Sequence, residues 1–197
     1  MKLALFDFDG TIIRVDSLIK FIRFVKGDLK TAWGIFILSP ILVLYKLKII
    51  PNYRAKQWLL SYFLKGMNEQ DFLTISTEFS LHHIDSYVRP KAIERILWHK
   101  QQGHKVVVVS ASIESWLKPW CEKHNLDIIA TKIEIKDGTV TGKFLTKNCH
   151  AKEKYYRVKE AYNISDYDYI YAYGDTCGDK ELLELADESF YKPFMQE

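Results

Sequence analysis

The chain has 197 residues, 48% of them apolar and 27% charged, with nine Gly and five Pro. That composition excludes a disordered or low-complexity protein, and the length fits one domain or one domain carrying a large insertion. The net charge is only +3, and Cys121, Cys149 and Cys177 form no CxxC pair. A zinc ribbon or a disulfide framework is thereby excluded, and a reducing compartment is the natural setting.

The chain opens Met1-Lys2-Leu3-Ala4 without a secretory pattern, so a cytoplasmic location is expected. Residues 3–8 form a short apolar run that ends at Asp9-Gly10-Thr11 and predicts a buried strand followed by a turn. Over residues 16–87 turn signals are scarce and apolar residues recur at helical spacing, which predicts an all-helical stretch. Residues 14–65 carry ten bases against two acids, Asp16 and Asp28, a local net charge of +8. A basic segment in a near-neutral chain points to an anionic partner. Residues 32–45 hold no charge at all. As a helix they would span ~21 Å, short of the ~30 Å of a hydrocarbon core, with a kink at Pro40. Two readings stay open for them: a helix buried in the insertion, or one lying in the interface of an anionic membrane. No nucleic-acid module accompanies the basic residues, so no nucleic acid is expected, and nothing points to a protein partner.

Beyond the insertion, residues 90–102 predict a helix stopped by Gly103, and the β-branched run 105–109 a buried strand. A helix follows over 113–124 and a strand over 126–130. Residues 132–135 and 140–144 predict a hairpin about Asp137-Gly138. Then come a helix over 151–162, a strand over 167–173 running into Gly174-Asp175, a helix over 179–186 and a short strand over 189–191. Alternating strands and helices predict an α/β protein, a parallel sheet with helices on both faces. About a hundred residues separate the first two strands, far more than a crossover needs. The expected division is a Rossmann-like core of residues 1–14 and 89–197, with a helical insertion over 15–88.

In such sheets ligands bind beyond the carboxyl ends of the strands. Those ends deliver Asp7 and Asp9, then Ser110, Ala111 and Ser112, and finally Asp175 with Asp179 close behind. Lys154, near the start of the preceding helix, can reach the same edge; Lys152 is its rival. Clustered carboxylates raise one another's pKa unless a cation sits among them, and a hard divalent ion, most simply Mg²⁺, answers that need. Ser110, nearby amides and Lys154 would hold phosphoryl oxygens. An aspartate can attack phosphorus, and an acid two residues on can protonate the leaving oxygen and then activate water. Asp179 also reads as a plain helix N-terminal acid, and Cys177 as a small filler.

Asp7-Phe8-Asp9-Gly10-Thr11 resembles the DxDGT signature of the haloacid dehalogenase-like hydrolase superfamily. Val109-Ser110, Lys154 and Gly174-Asp175-Thr176-Cys177-Gly178-Asp179 resemble its second, third and fourth motifs, in the right order. The resemblance implies Asp7 as nucleophile and metal ligand, and Asp9 as acid/base that also binds metal through its carbonyl. It implies Asp175 as metal ligand, Asp179 as support, and Ser110, Ala111, Lys154, Gly10 and Thr11 around the phosphate. The fold implied is the HAD-like core with an all-helical C1 cap, and the cofactor one Mg²⁺. The insertion and the stretch 131–149 resemble the phosphoserine phosphatase-like branch, subfamily IB, in which Asp16 would sense substrate. That branch has Ser where this chain has Gly10, and Gly-Gly where it has Ala111-Ser112. The basic, apolar insertion also resembles that of phosphatidylglycerophosphatase C-like proteins. The expected activity is hydrolysis of a phosphomonoester, either a lipid phosphate such as phosphatidylglycerophosphate, met at an inner membrane face, or a small soluble ester. A phosphotransferase or mutase on the same core, or a non-catalytic membrane-binding module, are the rivals.

Overall fold

The computed structural model describes residues 1–195. Its strands are β1 (Lys2–Phe6), β2 (Lys105–Ile113), β3 (Asp127–Thr131), β4 (Ile133–Lys136), β5 (Thr139–Phe144), β6 (Tyr169–Gly174) and β7 (Glu188–Tyr191). Five of them form one parallel sheet in the order β3-β2-β1-β6-β7. Ala4, Phe6, Val106 and Val108 enter one apolar cluster, and Leu3, Leu5, Val107 and Val109 the other. Both faces of the sheet are thus covered, which is why these strands read as unbroken apolar runs. Helices α5 (Pro90–Gln101) and α6 (Glu114–Lys123) contribute to the first cluster, α7 (Lys152–Ala161) and α8 (Lys180–Glu184) to the second. From β1 the sheet grows in both directions, so the crevice beyond its carboxyl end is the natural ligand position.

The insertion leaves and returns through a two-strand neck. Arg14 N donates to Tyr87 O at 3.0 Å and Arg89 N to Ile12 O at 2.9 Å. Between them lie α1 (Ser17–Lys26), α2 (Asp28–Lys46), α3 (Asn52–Leu64) and α4 (Glu69–His82). Phe21 of α1 stacks on Trp116 of α6 at 4.4 Å, a contact of about 1 kcal/mol beyond the area it buries. Trp120 N donates to Ser80 Oγ at 2.9 Å, tying α4 to the same helix.

Asp137 and Gly138 both have positive φ, the conformation a tight two-residue hairpin turn requires. The β4–β5 hairpin stands off the main sheet and bonds to the insertion: Gly66 N donates to Val140 O at 2.8 Å and Val140 N to Met67 O at 2.9 Å. Gly142, with φ +80°, lies so close to α3 that a Cβ would come within 2.4 Å of Ser61 Cα.

Some boundaries differ from the sequence expectation. The first strand stops at Phe6, not residue 8, because Ile13 N bonds back to Phe8 O and Gly10 N to Ile13 O, closing a compact loop. The expected helix over 179–186 contracts to α8, because Thr176 and Asp179 form a capping box around a preceding 3₁₀ turn. Residues 32–45 lie within α2, which continues past Pro40. One face of this helix is buried, at Thr31, Gly34 and Leu38, with Ile41 and Leu42 packed against the core, while the opposite face is exposed.

Candidate active site

β1 ends one residue before Asp7, whose backbone N bonds to Tyr173 O of β6 at 2.9 Å. This fixes the Asp7 side chain beyond the carboxyl edge, almost wholly buried. Lys154 Nζ lies 2.5 Å from Asp7 Oδ1 and 2.6 Å from Asp179 Oδ1. Helical spacing buries Lys154 with Val158 on one face of α7, whereas Lys152 is exposed, which decides between the two lysines. Asp179 Oδ2 accepts from the amides of Asp175 and Thr176 and from the Thr176 hydroxyl. Thr11 Oγ1 donates to Asp175 Oδ1 at 3.3 Å.

Burial pushes the Asp7 carboxyl up to about 7, against the pull of Lys154 and with Asp179 adding to the rise. Burial also raises Asp175, again with help from Asp179. Asp179 itself stays below the ordinary range: burial is outweighed by Lys154 and the Thr176 hydrogen bonds. For Lys154 burial opposes the charge, but Asp7 and Asp179 prevail and its pKa rises.

Asp7, Asp175 and Asp179 each place a carboxylate oxygen within 4.8 Å of the others. Three buried carboxylates around one lysine leave negative charge in a low-dielectric place. The donor set is all oxygen, the chemistry of a hard divalent cation, so these residues fit such an ion.

Asp9 faces elsewhere. Its Oδ1 accepts from Ser17 N at 3.0 Å, and its Oδ2 is held by the hydroxyls of Ser112 and Ser17. Trp116 Nε1 donates to Ser17 Oγ at 3.2 Å, fixing that hydroxyl. Burial, with the charge of Asp16 nearby, pushes Asp9 up to about 6, while Ser112 and Lys56 pull it down. Asp16 caps α1 by accepting from Ile19 N at 3.1 Å. Ser110 Oγ accepts from Ser112 N at 3.1 Å and is buried. Ala111 O receives Thr131 Oγ1 at 3.1 Å and Lys56 Nζ at 3.4 Å. Gly10, at φ +87°, lies directly against the Asp175 carboxylate.

Sequence reasoning placed Ser112 at the edge but not on Asp9, and it missed Ser17 and Lys56 in the site altogether. Lys56 carried a signal, being one of the bases of the insertion, but which base turns inward is not written in the pattern. Beside the site, Pro51, Asn52, Tyr53, Phe144, Asn148 and His150 line a cleft of about 620 Å³. His150 joins cleft and site: it packs on Gly178, and burial together with Lys56 and Lys154 lowers its pKa.

Fold and site together define a doubly wound α/β protein whose polar centre lies at the switch point of its sheet. A model of the haloacid dehalogenase-like hydrolase family matches residues 4–184, and the chain is an enzyme of that family. It is 32% identical over 196 residues to the protein CicA of Caulobacter vibrioides, covering 98% of this chain and 86% of that one. A crystal structure of a protein of unknown function from Bordetella pertussis superposes with a TM-score of 0.83 at 23% identity, over 95% of this chain and 88% of that one. A phospho-aspartyl intermediate analogue of phosphoserine phosphatase gives 0.69 at 21%, over 95% and 84%.

Proposed function

We propose that the chain is a Mg²⁺-dependent phosphomonoester hydrolase of subfamily IB that works through an aspartyl-phosphate on Asp7. The observation that carries this is the division of labour between two carboxyls: Asp7 lies against Lys154 among Asp175 and Asp179, while Asp9 is held apart by Ser17 and Ser112. Asp7 attacks phosphorus, the bond to the leaving oxygen breaks, and Asp9 gives that oxygen its proton. Asp9 then takes a proton from water, whose oxygen attacks phosphorus as the bond to Asp7 breaks and phosphate leaves. Lys154, Ser110 and the amides of Thr11 and Ala111 hold phosphoryl oxygens, and Gly10, without a side chain, leaves room for them. Bound beside Asp7, Asp175 and the Asp9 carbonyl, Mg²⁺ would offset charge on the transferring group. Asp179 supports Lys154, and Asp16 stands at the substrate side of Asp9.

Residues 15–88 act as a C1 cap over a core of 1–14 and 89–197, the narrow neck being the hinge. The substrate proposed is an amphiphilic ester such as phosphatidylglycerophosphate, met at the cytoplasmic face of a membrane. Exposed apolar α2 and the positive charge of the insertion support that reading. The cleft of about 620 Å³ beside the site, reached by His150, favours a second reading, a small soluble phosphomonoester.

The test is Mg²⁺-dependent phosphate release from phosphatidylglycerophosphate in mixed micelles, beside phosphoserine and a panel of soluble esters. Asp7→Asn should reduce release to background, and EDTA should do the same reversibly. Full activity in Asp7→Asn would refute the nucleophile. Transfer of the phosphoryl group to an organic hydroxyl without free phosphate would make the enzyme a transferase, and no turnover on any ester would leave only a binding module.

A further inference from the structure

Helix α2 is apolar on two opposite faces. The inner one holds Thr31, Gly34 and Leu38, with Gly34 so close to α3 that a Cβ would meet the Phe63 ring at 2.3 Å. The outer one runs the length of the helix at helical spacing and stands in water: Leu29 is 88% exposed, Phe36 68% and Trp33 63%, with Ile37, Val43 and Leu44 following. Leu47 and Ile49 extend it past the helix, and Trp58 and Tyr62 of α3 widen it. A helix on a protein surface ordinarily turns polar residues to this side, and a contiguous apolar face marks an interaction surface.

Charge decides what covers it. Lys26 and Lys30 border a groove of about 440 Å³ with Leu29, Trp33 and Tyr62, and Lys46 and Lys48 are exposed at the other end. The acid nearby, Asp28, is taken up by Arg23 at 2.6 Å. A second copy of the chain would bring the same positive ends together, which repel. Anionic headgroups complement them, and Trp and Tyr suit the boundary between headgroup and acyl chain.

We propose that α2, with the outer edge of α3, docks on the surface of an anionic lipid bilayer. The helix lies in the plane of the interface, Leu29, Trp33 and Phe36 enter the acyl boundary, and the lysines meet the headgroups. This gives a partner to the lipid-phosphate reading of the site and rests on it for its purpose. The docking face ends beside the cleft: Asn52 Nδ2 donates to Tyr45 Oη at 3.0 Å, and Asn52 lines the cleft wall.

The experiment is co-sedimentation of the full chain with vesicles of phosphatidylcholine alone and with about 30% phosphatidylglycerol, with tryptophan emission followed in parallel. The expected result is binding to the anionic vesicles, a blue-shifted emission, and release by salt. A Trp33→Ser/Phe36→Ser double variant should bind about tenfold more weakly and keep its turnover of a soluble phosphomonoester. Lys30→Glu/Lys46→Glu should weaken binding through charge alone. Absence of binding to anionic vesicles, equal binding by the apolar variant, or a dimer that this variant turns into a monomer would overturn the proposal. Vesicle binding without turnover of any ester would keep the docking face and overturn the catalytic reading; soluble turnover without vesicle binding would do the reverse.

Discussion

Lys154 is the point at which stability and the site meet, and its removal is the most informative perturbation. Its ammonium is buried and lies 2.5 Å from Asp7 and 2.6 Å from Asp179, both buried. Lys154→Met keeps the length of the side chain and deletes the charge, leaving two carboxylates facing each other without a counter-ion. Breaking a buried ion pair in this way costs about 3–5 kcal/mol, a large part of the roughly 5–15 kcal/mol that holds a domain folded. Asp179→Asn alone removes one arm of the same triad and should cost about 1–3 kcal/mol. Together the two changes should be far less than additive, because the neutral amide introduced by Asp179→Asn removes the repulsion that Lys154→Met creates and can donate to Asp7. The double variant should recover at least about 2 kcal/mol over Lys154→Met. Urea unfolding of the four proteins in EDTA, so that no cation stands in for the lysine, measures this cycle. A Lys154→Met protein as stable as the parent, or an additive double variant, would refute the argument.

Two more predictions concern elements away from the centre. His99 is fully buried, with its ring nitrogens 2.8 Å from His104 Nδ1 and 2.9 Å from Tyr173 Oη. Burial, with His104, Arg95 and Lys2 adding, holds it down at about 3, against roughly 6.5 in the unfolded chain. Between those values the unfolded state takes a proton that the folded state refuses, so this stability is present above pH 6.5 and is lost as pH falls. At pH 5 the loss is about 2 kcal/mol. Urea midpoints at pH 7 and pH 5 should show it in the parent and not in His99→Gln; identical pH responses would contradict it. Gly142→Ala forces a side chain into positive φ and against the Ser61 backbone, at a cost of about 3 kcal/mol and roughly 10 °C in Tm. An unchanged thermal midpoint would mean that the hairpin does not clamp α3.

Several features could be read from order along the chain because their causes are local. A buried strand followed at once by Asp9-Gly10-Thr11 needs only neighbouring residues, and Asp7 lies where that pattern puts it. The Asp137-Gly138 turn is likewise local, both residues taking the positive φ their types permit. Strand–helix alternation then fixes a parallel sheet, since parallel strands require crossovers.

Where meaning depends on distant contacts, sequence order is silent. Ser112 reaches Asp9 across 103 positions and Lys56 reaches Ala111 across 55, and neither pairing leaves a periodic trace. Sequence order left Lys152 and Lys154 as rivals, and only packing against Asp7 and Asp179 told which of them is inside. For residues 32–45 hydropathy reported an apolar helix and could not report its surroundings. A leucine in the core and one facing water have the same side chain, and only the tertiary arrangement leaves Leu38 covered and Leu29 in the open.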